Sequence, residues 1–129
     1  MFKNGMTEEQ IIAGMRDDFL KDATLRLALL RKSRAAAIAG DCDNNPFDIF
    51  QAELHTLKGM GQAFGFPSLT LISRRLEGYL QDFTEETFVA DQEIERFLAH
   101  IETVIDAGEE PDDDRLETML NDLPPPVEN

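Results

Sequence analysis

Cysteine is almost absent from this chain of 129 residues: Cys42 stands alone. No disulfide can form within the chain, and a reducing, cytoplasmic setting is the expectation. Long apolar runs are missing too. None approaches the roughly 20 residues that a helix needs to cross a bilayer, and the opening Met1-Phe2-Lys3-Asn4-Gly5-Met6 has no apolar signal-peptide core. Basic residues thin out along the chain. Residues 1–80 carry 10 acidic and 10 basic side chains, whereas residues 81–129 carry 16 acidic and 2 basic, so the net charge of −14 belongs wholly to the second stretch. Such a surface is repelled by phosphate backbones, which excludes nucleic acid as the expected partner. Histidine occurs twice, and no Cys/His cluster offers itself to a metal. Alternating strand patterns and internal repeats are also lacking.

What is present is 42% hydrophobic, enough for the core of one ordinary domain, and its pattern is helical throughout. Thr7, with Gln10 three residues on, opens a first helix. Ile11, Ile12, Met15 and Phe19 give it an apolar stripe. It continues, or restarts near Asp22, to about Ala39, with Leu20, Ala23, Leu27, Leu30 and Ile38 inward and Gly40 as the stop. Asn45-Pro46 is a second start, an N-cap followed by proline at the first helical position. That helix runs to about Phe64 and ends at Gly65. Pro67 opens the next, whose buried stripe is Leu69, Ile72, Leu76, Leu80 and Phe83. A turn over 82–86 leads to a helix over about 86–107, with Ile94, Phe97, Ile101 and Val104 inward. Gly108 to Pro111 ends it. Leu116, Met119, Leu120 and Leu123 allow a short amphipathic helix over 115–123, stopped by Pro124-Pro125-Pro126. Four amphipathic helices with short connections specify an all-α, antiparallel four-helix bundle, with an N-terminal lead-in helix and a short C-terminal helix.

Chemistry concentrates on the helix after Pro46. Phe50, Leu54, Leu57, Gly61 and Phe64 form its core seam. Gln51, His55, Lys58 and Gln62 form a second row, about 100° around the helix, which puts His55 at the edge of the core with its ring exposed. Ala52, Gly59 and Ala63 form a third row of small residues. Gly59, Gly61 and Gly65 crowd into seven positions, although each glycine inside a helix costs about 1 kcal/mol relative to alanine. Close approach of another body beside His55 would account for them; close helix–helix packing is the alternative for the row of small residues. Neutral imidazole is a good nucleophile near pH 7. Lys58, one turn on, can place an ammonium against phosphoryl oxygens. Gln51 or Gln62 can orient the ring or hydrogen-bond the phosphoryl group.

Residues 55–65 resemble the active helix of histidine-containing phosphotransfer (HPt) domains. The shared pattern is His55, Leu57, Lys58 and Gly59, then Gly61, Ala63 and Gly65, and it continues through Leu69 and the pair Leu76-Glu77 on the next helix. The likeness covers about residues 47–80. It implies that His55 is the phosphorylated residue, Lys58 its charge partner and Gly59 the clearance position, with Ala52, Ala63 and Gly65 on the partner-binding surface. It further implies exchange of a phosphoryl group with the aspartate of a response-regulator receiver domain, in a relay served by a histidine or hybrid kinase. The receiver supplies the magnesium, so no cofactor of the chain's own is expected. Met60 and Gln62 stand where the family prefers small residues, which bears on partner choice. No ATP-binding motif is present, so the chain is not expected to phosphorylate itself. On this reading residues 7–107 are an HPt-like four-helix bundle, residues 108–129 an acidic, proline-containing C-terminal extension, and the protein a monomer without a membrane partner.

Two other functions fit a helical bundle. One is a non-transferring adaptor that binds or inhibits a kinase or receiver, although an adaptor need not keep a nucleophile. The other is a structural oligomer built on the Leu/Phe faces. Outside the His55 helix, His100 reads as a surface residue and Cys42 as incidental. The carboxylates of 109–114 lack a calcium-loop pattern and read as a solvated linker. Arg26, Arg31, Lys32 and Arg34 read as a solvated basic face, onto which an acidic receiver surface could dock.

Overall fold

A computed structural model of the chain describes residues 5–41 and 43–127; Cys42 and Met1 to Asn4 of the opening segment lie outside the described residues. Six α-helices follow one another: α1 Glu8–Ile38, α2 Pro46–Gly61, α3 Pro67–Tyr79, α4 Glu85–Ala90, α5 Ile94–Ala107 and α6 Asp113–Asn121. No strand occurs among the described residues. α1, α2, α3 and α5 pack in a ring as a four-helix bundle, with α4 against α1. Phe50, Leu54, Leu57, Leu69, Ile72, Leu76, Phe97 and Ile101 fill the middle, all fully buried.

α1 is one helix of 31 residues, about 46 Å long at the α-helical rise. Thr7 opens it with the expected capping box: Gln10 donates its amide to Thr7 Oγ1 at 3.1 Å, and Thr7 N donates to Gln10 Oε1 at 2.9 Å. The lead-in is therefore its first turns. Of the apolar stripe read there, only Phe19 is buried, stacked between Phe64 and Phe66 where the chain turns from α2 into α3. Ile12 and Met15 lie about half exposed, lining an open pocket with Ala63, Phe64 and Gly65 rather than entering the core. Ile38, expected inward, is exposed, and Ala37 takes the buried position. Arg26, Arg31 and Arg34 do not form a free basic face. Arg26 pairs with Asp22 and with Glu53 of α2. Arg31 pairs with Glu95 and Glu102 of α5. Arg34 donates to the Asp91 carbonyl and lies over the Phe88 ring. These guanidiniums tie α1 to its neighbours.

The helix expected over 86–107 is two. Asp91 interrupts it: Oδ1 accepts the amides of Glu93 and Ile94, each at 2.7 Å, and so caps α5. Tyr79 donates its hydroxyl to Asp91 Oδ2 at 2.6 Å. Burial, then that carboxylate, push the Tyr79 hydroxyl up to about 12. α4 in turn buries Phe88 against Phe47 and Phe50. Asn45 departs from expectation as well. It precedes Pro46 in a left-handed conformation, φ 47°, and its side chain makes no capping bond; asparagine tolerates that region better than most residues.

The tail is bound to the bundle. Glu110, expected in a solvated linker, accepts the Ser68 amide at 2.8 Å and its hydroxyl at 2.7 Å, which places a carboxylate at the N-terminus of α3. Met119 and Leu123 enter the core, and Arg75 donates to the Leu120 carbonyl at 2.8 Å.

Candidate functional site

α2 carries its core seam as read from spacing. Phe50, Leu54, Leu57 and Gly61 are buried, and Phe64, in a 3₁₀ turn that follows α2, is half-buried. Gln51, Ala52, His55, Gly59, Gln62 and Ala63 are exposed on the outer side, and Lys58 is half-buried at its edge toward α3. The His55 side chain is 72% exposed.

Glu77, reaching from α3, organises the site. Its Oε2 lies 3.2 Å from His55 Nδ1 and its Oε1 lies 2.6 Å from Lys58 Nζ. An ionised carboxylate only accepts hydrogen bonds, so Nδ1 is the donor. In the neutral ring this leaves the lone pair on Nε2, on the edge away from Glu77. Lys58 is thus committed to Glu77 in this state, with about a quarter of each side chain exposed. Among the described residues no hydrogen bond joins Gln51 or Gln62 to the ring; Glu77 holds the orienting place expected of them. Spacing along α2 carries no trace of this contact. The one signal was the pair Leu76-Glu77 in the resemblance, since leucine at 76 turns inward and sets glutamate at 77 facing α2.

The three crowded glycines have three separate causes. A Cβ on Gly59 would meet nothing within 4 Å, so no packing requires glycine there. A Cβ on Gly61 would lie 2.8 Å from Thr70 Oγ1 and 2.9 Å from the Phe66 carbonyl oxygen, so α3 enters only because the side chain is missing. Gly65 closes the 3₁₀ turn at φ +88°, a region that strains other residues. Close packing therefore explains Gly61, conformation explains Gly65, and only Gly59 is left for an approaching body. Gly61→Ala should destabilise the fold by about 1–3 kcal/mol, the usual cost of overpacking, as read by urea unfolding. Unchanged stability would mean that α3 can move away freely.

His100, expected at the surface, is four-fifths covered: its Nε2 lies 2.8 Å from Asp122 Oδ2, and Arg96 pairs with Asp122 Oδ1 at 3.0 Å. These partners, His100 first, hold the Asp122 carboxyl below its ordinary range. The contact secures α6 and puts His100 in a setting unlike that of His55. No group of three or more His, Cys, Asp or Glu side chains is placed to hold a metal among the described residues. No helix among them is long and apolar enough to cross a membrane.

Comparison with curated proteins and with solved structures gives no match. A family model described as "Hpt domain" matches residues 14–124, which takes in all of the bundle but the first turns of α1 and reaches past α6. An exposed histidine on the second helix, steadied by a carboxylate from the third, sits inside that match, and the chain belongs to the Hpt domain family, whose domains serve phosphotransfer in two-component relays.

Proposed function

We propose that this protein carries a phosphoryl group on His55 Nε2, in exchange with the aspartate of a response-regulator receiver domain. The observation that supports this most is the Glu77 carboxylate on Nδ1, which leaves the nucleophilic nitrogen on the exposed edge of the ring. The Nε2 lone pair attacks the phosphorus of the receiver's aspartyl phosphate. An N–P bond forms as the O–P bond breaks, and the electron pair leaves with the aspartate oxygen. Positive charge develops on the imidazole, and the Nδ1–H held by Glu77 offsets it. The return transfer runs the same path backward. The receiver contributes magnesium and most of the catalytic groups; this chain contributes a positioned nucleophile and room to dock. A histidine or hybrid kinase is the source of phosphate elsewhere in the relay.

The test is incubation with phosphorylated candidate receivers, following loss of label from the receiver and gain of acid-labile, base-stable label here. A cognate pair should equilibrate its label. An adaptor that does not transfer would bind a receiver and leave the label where it was.

Lys58 acts on the same atoms. Once the phosphoryl group arrives, its oxygens compete with Glu77 for the ammonium. Lys58→Ala should slow transfer by about tenfold to a hundredfold, since a charge-assisted hydrogen bond contributes roughly 1.5–3 kcal/mol. The fold should persist with a modest loss of stability, because the variant gives up one partly buried ion pair, that of Lys58 with Glu77. Rapid-quench kinetics decide the point, and wild-type rates in the variant would make Lys58 a solvated side chain only.

A further inference from the structure

Thr70 and Glu77 lie two turns apart on α3, so both face α2. Glu77 meets the side chains of His55 and Lys58. Thr70 meets the backbone of the same stretch: its hydroxyl donates to the Lys58 carbonyl at 2.8 Å and accepts the Gln62 amide at 2.8 Å. A regular helix joins those two backbone groups to each other, so the hydroxyl braces α2 where it passes into the 3₁₀ turn. Other threonines on these helices behave differently. Thr24, Thr56 and Thr103 each spend the hydroxyl on the carbonyl four residues back in their own helix. Thr70 spends its hydroxyl on a neighbouring helix, 6% exposed, in space that Gly61 leaves open.

We propose that Thr70 is a positioning residue for phosphotransfer: by bracing the Lys58 turn of α2 it sets the register of α3, and so holds the Glu77 carboxylate on His55 Nδ1. The inference rests on the reading of His55 as the phosphoryl carrier. Two contacts on one face of α3 fix its slide and its roll along α2. With the first contact gone, packing, the bond from the Phe66 amide to the Gly61 carbonyl and the flexible Lys58–Glu77 pair hold the register less closely, and the contact between Glu77 and Nδ1, at 3.2 Å, has little room before it ceases to be a hydrogen bond.

Three substitutions in the full chain test this. Thr70→Ala and Thr70→Val remove the hydroxyl, Ala leaving space and Val keeping the volume; Thr70→Ser keeps the hydroxyl. Nitrogen-15 NMR of the neutral His55 ring reads the tautomer, and labelling by phosphoramidate, a small donor that needs no docking, reads the rate. The wild type should show the proton on Nδ1. Whichever of the Ala and Val variants is folded should lose that preference and label about tenfold more slowly, as expected when one charge-assisted hydrogen bond is lost. Thr70→Ser should restore both. A folded variant without the hydroxyl but with the wild-type tautomer and rate would overturn the proposal. Failure of both to fold would also overturn it, making Thr70 a plain structural residue. If the wild type takes no label on His55, the carrier reading fails, while the tautomer comparison still decides what Thr70 does.

Discussion

Gly59→Leu should leave the protein at least as stable as it is now and nearly abolish transfer from a receiver protein. A side chain at residue 59 has open space around its first carbon, with no atom within 4 Å. Leucine also favours the helix over glycine by about 0.8 kcal/mol. Packing and propensity therefore both predict an equal or higher Tm. Docking pulls the other way. Gly59 lies one turn from His55 on the exposed side of α2, where, on the proposed function, a receiver comes close enough to set its aspartyl phosphate on Nε2. A leucine there holds the two bodies apart, and each 1.4 kcal/mol of lost complementarity costs about tenfold in rate. A loss on the order of a hundredfold is expected, with labelling by a small phosphodonor much less affected. Calorimetry beside the two labelling rates checks the split. Normal transfer from the receiver would put the docking surface elsewhere, and unfolding would mean that Gly59 serves internal packing after all.

The second large effect is at the nucleophile. His55→Gln should fold normally, because the side chain is 72% exposed and its one polar tie is to Glu77; surface substitutions usually stay within about 0.5 kcal/mol. Glutamine offers no nucleophilic ring nitrogen, so receiver-dependent labelling should fall to background. His100 is the internal control. Its Nε2 faces Asp122 and its side chain is 20% exposed, so it should not take over. Labelling retained in the variant would remove His55 from the role.

Local rules make much of this fold legible in the sequence. Thr7 with Gln10, Pro46, Pro67, Gly65 and Gly108 each mark a helix end through chemistry confined to a few residues, and each lies where it was expected. The face of α2 that bears His55 followed from spacing alone. Contacts made at long range were not legible. Asp91 splits the helix expected over 86–107 by capping the amides of Glu93 and Ile94, a local signal that the continuous apolar period masks, while Tyr79 and Arg34, far off in sequence, hold it in place. Ile12, Met15 and Ile38 have core-like spacing but lie exposed, because period names a face and not how closely a neighbour packs on it. The same limit hid the arginine ties and Glu77. A helical repeat places each side chain on its own helix, and the register between α2 and α3 depends on Gly61 and Thr70 meeting across them.

The most direct measurement is to incubate the full chain with a phosphorylated receiver, trap the product at alkaline pH, and assign the modified atom by mass spectrometry and phosphorus–nitrogen NMR. The expected result is a single phosphoryl group on Nε2 of His55, lost in His55→Gln and returned to the receiver when unphosphorylated receiver is added. Phosphate on Nδ1, on His100 or on a carboxylate, or none under conditions where the receiver loses its own, would contradict it.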